Sequence, residues 1–64
     1  MTDQYEINIS KRRSPNDKYG IHWAKVELPD YDEEKAIAKL DMLKLLFGEG
    51  FVLTMIIKTI KDHD

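Results

Sequence analysis

The spacing of apolar residues predicts three strands and one helix. Residues 5–10 alternate strictly between apolar and polar side chains, which is typical of a strand with one buried face. Residues 19–28 read as a second strand, and residues 51–60 are rich in β-branched side chains and predict a third. Between them, residues 31–47 carry apolar side chains at helical spacing. We therefore expect the order strand, strand, helix, strand.

Turn and capping signals separate these elements. Residues 11–18, KRRSPNDK, contain a proline and an Asn-Asp pair, so the chain is expected to reverse there through a basic loop. Asp30, with Glu33 three residues later, has the spacing of a capping box and predicts the start of the helix. Gly48–Gly50 offers a residue that can adopt a positive φ and end the helix. Residues 61–64 are expected to form a polar tail.

The second strand changes its apolar phase part-way along. Ile21 and Trp23 share one parity, whereas Val26 and Leu28 share the other. A bulge near residues 24–25 would account for this change, because it adds one residue to one strand of a pair. The sequence pattern therefore allows the side chain of Trp23 to face either side of the sheet.

The connections define the fold class. The short loop makes the first two strands an antiparallel hairpin. A right-handed crossover through the helix could then set the third strand parallel beside the second, or antiparallel beside the first, and we favour the latter. The expected fold is a single α+β domain of ββαβ type, with a three-stranded antiparallel sheet in the order 2-1-3 and the helix on one face.

This fold has more apolar residues than it can bury. At roughly 100° per residue, one side of the helix should face the core through Ala36, Leu40, Leu43 and Phe47, with Ile37 at its margin. A different side carries Ala38, Met42 and Leu45. The third strand is apolar on both faces, since Phe51, Leu53, Met55 and Ile57 alternate with a second set that includes Val52, Ile56 and Ile60. Either these residues bind a partner, or the chain shields them itself. In the second case Met42 and Leu45 curl around the rim of the helix, and Trp23 or Tyr31 folds over Val52 and Ile56.

The composition excludes several classes of functional site. The 64 residues contain no cysteine, which excludes a disulfide framework, a thiolate nucleophile and a cysteine-based zinc site. The formal charge of −2 gives no general electrostatic case for nucleic acid or for an anionic membrane. The two histidines are His22, in a predicted strand, and His63, between Asp62 and Asp64. These last three residues could bind a metal ion only weakly, because a terminal segment offers no surrounding residues to fix the ligand geometry. We expect no enzyme, cofactor, metal or membrane segment, and a cytoplasmic location.

The leading hypothesis is a non-enzymatic module that binds a larger protein. The predicted contacts are basic residues of the loop and apolar anchors elsewhere, namely Arg12, Arg13, Lys18, Trp23, Met42, Leu45, Val52 and Ile56. One alternative is a small nucleic-acid-binding protein that uses the basic hairpin through Lys11, Arg12, Arg13, Lys18 and Lys25. Another is a structural homodimer, joined through the third strand or the open face of the sheet.

The chain resembles a known group of proteins in three respects. These are the order of its elements, its small size and the segment Gly50-Phe51-Val52-Leu53-Thr54 after the helix. The chain resembles the very small strand-strand-helix-strand inhibitors of bacterial RNA polymerase made by lytic bacteriophages and, distantly, the epsilon subunit of Gram-positive RNA polymerase. The resemblance implies a three-stranded antiparallel sheet with one helix. It also implies an inhibitor encoded by a phage or mobile element, which acts on a larger host enzyme of the transcription machinery through charged and apolar surface contacts.

Overall fold

The computed structural model describes residues 2–60 and confirms the predicted α+β fold. The elements are β1 (Thr2–Lys11), β2 (Ile21–Leu28), α1 (Glu33–Phe47), a single 3₁₀ turn (Gly48–Gly50) and β3 (Phe51–Ile60). The three strands form one antiparallel sheet in the order β2-β1-β3. The predicted tail, residues 61–64, lies outside the described residues. No helix within residues 2–60 has the length and apolar character needed to cross a membrane.

The core lies between the central strand and α1. Tyr5, Ile7 and Ile9 point to the same face of β1, and the side chains of Ile7 and Ile9 are fully buried. Ala36 of α1 packs against them and is fully buried as well. The remaining helix residues of the predicted stripe, Leu40, Leu43 and Phe47, are half-buried around this centre, as the helical spacing predicted.

Three predicted boundaries were wrong, and each error has a local cause. β1 is longer than predicted because its pairing with β3 runs from Thr2 to Lys11. β2 begins at Ile21 rather than at residue 19, because the two preceding residues belong to a turn built on Asp17. The helix begins two residues later than predicted, since its N-cap is Asp32 and not Asp30: the Asp32 carboxylate accepts a hydrogen bond from the Lys35 backbone N–H at 2.8 Å.

The predicted bulge lies at Trp23, slightly earlier than expected. Ile9 pairs with Ala24 and Ser10 pairs with His22, so Trp23 is the extra residue opposite β1. The bulge turns Trp23 to the side of the sheet that α1 covers, where its ring contacts Phe47. The orientation of Trp23 is thereby defined.

Pairing across the sheet defines its two faces. Leu53 and Met55 pair with Ile9 and Ile7, so alternate residues of β3 from Phe51 to Ile57 lie on the helix side. Val52 and Ile56 consequently lie on the opposite, open face. The helix packs against β3 and β1 more than against β2, which leaves the helix side of β2 partly uncovered.

The two ends of the sheet differ in what they carry. At one end, the loop between β1 and β2 is joined to the 3₁₀ turn by the Arg12 N–H, which donates to the Gly50 carbonyl at 2.9 Å. Trp23 lies at this same end. At the opposite end, Thr2 of β1 pairs with Ile60 of β3. The first and last described residues are therefore neighbours.

Candidate functional site

Three aromatic rings form a cluster at the loop end of the domain. Trp23 lies edge-on to Phe47, with ring centroids 5.6 Å apart, and to Phe51, at 5.5 Å. Phe47 and Phe51 are 5.0 Å apart in the same geometry. Such edge-to-face pairs are favourable and hold the rings in fixed positions. We call Trp23, Phe47 and Phe51 the aromatic cluster. Trp23 is nevertheless 55% exposed, so it presents a rigid apolar surface to solvent.

A second apolar surface runs along α1. By helical arithmetic, Ala38, Met42, Leu45 and Leu46 project from the side of the helix that does not face the sheet. Leu45 is 86% exposed and Leu46 is 73% exposed. We call these four residues the outer helix stripe. The predicted anchors Met42 and Leu45 belong to it, and Leu46 is an additional member that the sequence interpretation did not assign.

Basic residues border both apolar surfaces. A shallow depression beside Trp23 is lined by Ile21 and His22 together with Lys11, Arg12 and Arg13. A second depression lies beside the outer helix stripe, and its lining residues are Asp30, Tyr31, Lys35, Ala38, Lys39 and Met42. The rim at Trp23 is therefore cationic, although the formal charge of the chain is −2. The rim of the outer helix stripe carries both signs, since Glu34 and Asp41 lie one helical turn before Ala38 and Leu45.

The basic loop has a defined conformation because Asp17 organises it. One carboxylate oxygen of Asp17 accepts the backbone N–H groups of Tyr19, at 3.1 Å, and Gly20, at 3.0 Å. The other oxygen accepts the backbone N–H of Arg13 at 3.1 Å and its Nε at 2.9 Å. The Arg13 guanidinium and these N–H groups hold the pKa of the Asp17 carboxyl far below its ordinary value. Asp17 is thus ionised and holds the loop closed.

Two predicted contact residues take part in this loop structure. Arg13 forms the ion pair with Asp17, and Arg12 donates from its guanidinium to the main-chain oxygen of Asp17. Each guanidinium carries five N–H donors, so these bonds orient the side chain and leave other donors to solvent or a partner. Lys18 lies exposed on the same loop. The loop therefore presents positioned cations next to Trp23.

Val52 and Ile56 are separated from the other predicted anchors. Both are half-buried on the open face of the sheet, whereas Trp23, Met42 and Leu45 lie on the helix side. A single flat partner cannot contact both sides at once. Neither Trp23 nor Tyr31 covers this face, because Trp23 turns to the helix side and Tyr31 packs against the core.

The open face also holds a buried carboxylate that the sequence pattern assigned to solvent. Glu6 is 5% exposed, because Lys58 Nζ donates to its Oε1 at 3.0 Å and Lys25 Nζ lies 3.6 Å from the same oxygen. Lys25 also bridges to Glu27, which pairs directly opposite Glu6. The hydrogen bond from Lys58 and the charge of Lys25 outweigh burial and lower the pKa of Glu6. Lys25, one of the predicted nucleic-acid contacts, is occupied in this network.

The geometry favours binding by surface contacts. Among the described residues, no group of three or more His, Asp or Glu side chains is arranged to hold a metal ion, and His22 is exposed at the edge of the sheet. The predicted weak ligands Asp62, His63 and Asp64 lie outside the described residues. What the described chain offers is a rigid aromatic cluster, an exposed aliphatic stripe and cations at their rims.

Comparison with known proteins found no match among protein-family models, curated protein sequences or solved structures.

Proposed function

We propose that this chain is a protein-binding module that docks on a larger partner through the aromatic cluster and the outer helix stripe and performs no chemistry of its own. The exposure of the stripe carries this proposal. Burying one aliphatic side chain of this size is worth about 1.5–3 kcal/mol, and Leu45 and Leu46 contribute little of that to the fold because they are 86% and 73% exposed. Their burial against a partner would supply the main favourable term of association.

The rim at Trp23 favours a partner whose apolar side chains are bordered by carboxylates. Lys11, Arg12 and Arg13 line the depression there, whereas the depression at the stripe carries Asp30 as well as Lys35 and Lys39. Arginine binds carboxylates with two parallel hydrogen bonds, and complementary charge accelerates encounter and fixes orientation. Rigid Trp anchors with Arg neighbours are common at the centres of protein interfaces.

The resemblance to small phage inhibitors makes bacterial RNA polymerase the first purified partner to test. A module of this size could inhibit such an enzyme by occupying an acidic, apolar contact surface. We propose this target on the resemblance alone, and the binding surface on the contacts described above.

The test is affinity capture with matched surface variants. Wild-type protein is immobilised and exposed to purified bacterial RNA polymerase and, in parallel, to lysate of the cell that encodes the chain. Leu45→Glu is compared with Lys44→Glu, because the two residues are adjacent on α1 and project to different sides of it. We expect Leu45→Glu to abolish capture. Lys44→Glu should retain it, although it changes the charge by more than Leu45→Glu does.

Two results would overturn the proposal. Equal capture by both variants would show that the outer helix stripe is not the contact surface. A salt-sensitive mobility shift with DNA or RNA, lost in the double variant Arg12→Glu/Arg13→Glu, together with no captured protein, would assign the loop to nucleic acid instead.

A further inference from the structure

The two edges of the sheet are protected very differently. β2 carries the bulge at Trp23 and the charged residues Lys25 and Glu27, devices that hinder pairing with another strand. β3 is ten residues long, pairs with β1 without a register shift and has Lys58 as its single charged residue. Within residues 2–60 nothing pairs with its outer edge. A long, regular, apolar edge strand readily accepts a further strand.

We propose that the outer edge of β3 pairs antiparallel with β3 of a second copy of this chain, about a two-fold axis at Thr54. The two three-stranded sheets would then form one continuous six-stranded sheet. This surface differs from the proposed docking surface in its main elements, because Trp23 lies on the other edge strand and pairing at β3 uses main-chain groups. The two surfaces meet at Phe51, which belongs to the aromatic cluster and ends the paired segment.

The sequence of β3 is self-complementary in this register. With the axis at Thr54, Val52 lies opposite Ile56 on the open face. On the helix side, Leu53 lies opposite Met55 and Phe51 lies opposite Ile57. Directly opposed residues share a face in an antiparallel pair and contact each other. Each apolar residue of the paired segment, residues 51–57, therefore meets an apolar residue of the copy.

The side chains disfavour the neighbouring registers. With the axis at Leu53, Val52 would lie opposite Thr54 and Ile57 opposite Glu49, and the apolar matching would be lost. With the axis at Thr54, Lys58 extends beyond the paired segment and lies opposite Gly50 of the copy, next to Glu49. Moving the axis to Met55 sets Lys58 opposite Val52, and moving it to Ile56 sets it opposite Thr54. Lys58 already donates to Glu6 within its own chain. Of the registers at Thr54, Met55 and Ile56, the Thr54 register alone keeps Lys58 outside the paired apolar segment.

The same pairing covers two exposed isoleucines. Ile57 lies on the helix side of β3 yet is 58% exposed. Ile37 is also exposed, and helical spacing places it on the flank of α1 that carries Lys44. Lys44 and Leu45 line a depression together with Phe51, Val52 and Leu53 of β3, so the end of α1 that carries Lys44 lies beside β3. A second sheet joined at the outer edge of β3 would bring its own helix against Ile37 and Ile57.

The spacing of the elements permits this contact. A two-fold axis perpendicular to the sheet leaves both helices on the same side. With neighbouring strands about 4.8 Å apart, two helices that each lie above the gap between β1 and β3 would have axes about 10 Å apart. Packed helices are commonly about 8–10 Å apart. The flank between them carries both Asp41 and Lys44, so it has no net charge to repel its copy.

The test is sedimentation equilibrium of the purified chain and of two lysine variants. Thr54→Lys places two lysine side chains opposite each other at the axis, with Cβ atoms about 5 Å apart. Thr54 is exposed in the single chain, so a lysine there should not disturb the fold. His22→Lys is the matched control, since it adds the same charge at an exposed position of the other edge strand. We expect a wild-type dimer. Its dissociation constant should rise on the order of tenfold or more in Thr54→Lys at low salt and change little in His22→Lys.

Charge pairing tests the position of the axis. We expect Thr54→Lys and Thr54→Asp to be largely monomeric when separate and to form a mixed dimer when combined, because opposite charges then meet at the axis. A wild-type chain that stays monomeric up to about 1 mM overturns the proposal. So does a dimer that is equally stable in Thr54→Lys, or one that the mixture fails to restore.

Discussion

The exposure of the outer helix stripe predicts that its two leucines can become charged with little loss of stability. In the double variant Leu45→Lys/Leu46→Lys, the buried fractions of the two side chains are worth about 0.2–0.4 kcal/mol for Leu45 and about 0.4–0.8 kcal/mol for Leu46. Lysine has nearly the helix propensity of leucine. A cation near the C-terminus of α1 also gains about 0.3–1 kcal/mol from the helix dipole. The free energy of unfolding should therefore change by less than about 1 kcal/mol.

Urea denaturation followed by the fluorescence of Trp23 measures this change, because Trp23 is the single tryptophan and lies against two phenylalanine rings. The core control is Leu53→Ala, since Leu53 is buried and such truncations cost about 2–5 kcal/mol. The free energy of unfolding of a domain of 64 residues is roughly 3–10 kcal/mol in total, so the control should be strongly destabilised.

A loss of more than about 2 kcal/mol in the double leucine variant would refute the reasoning. It would mean that the stripe is buried in the folded protein, and the proposed docking surface would then not exist. Both variants are measured at the same low protein concentration, because dimerisation would add to the apparent stability.

Three further predictions follow from individual contacts. Because the pKa of Glu6 is lowered in the folded protein, its ionised carboxylate stabilises the fold at pH values above its ordinary pKa of 4.5. This stabilisation is lost as the pH falls below 4.5 and through the lowered pKa. The melting temperature should fall over that pH range, and it should fall less steeply in Glu6→Gln. Gly20→Ala should destabilise more than Gly48→Ala in urea titrations: both glycines have positive φ, but only at Gly20 would a Cβ lie 2.9 Å from a main-chain oxygen of β1. Asp17→Ala should make the β1–β2 loop more sensitive to trypsin, whereas equal cleavage of wild type and variant would contradict its role in closing the loop.

The fold could be predicted from sequence because its main signals are local and agree with one another. Strict alternation in β1, the helical spacing of Ala36 and Leu40, and short connections leave few topologies open. The helix start was misplaced because Asp30 and Asp32 are both capable caps. Asp30 lies instead in the turn after β2, which the Tyr31 N–H closes by donating to the Leu28 carbonyl.

The candidate site was less predictable, since it depends on contacts between distant residues. Glu6 alternates with apolar neighbours and so predicts a solvated residue, yet Lys58, 52 positions away, closes over it. The predicted anchors Val52 and Ile56 were grouped with Trp23 on hydrophobicity alone, and the direction in which the bulge turns the indole was not determined by pattern. Leu46 could have been found, because helical arithmetic already places it beside Met42.

The pairing of Thr2 with Ile60 has a practical consequence for handling this molecule. A fluorophore, a solid support or a fused carrier attached at either of these strand ends would lie at the end of the sheet opposite Trp23. Because these two strand ends are adjacent, a short peptide could also join them and allow new termini to be opened elsewhere, for instance within the Asp17 turn.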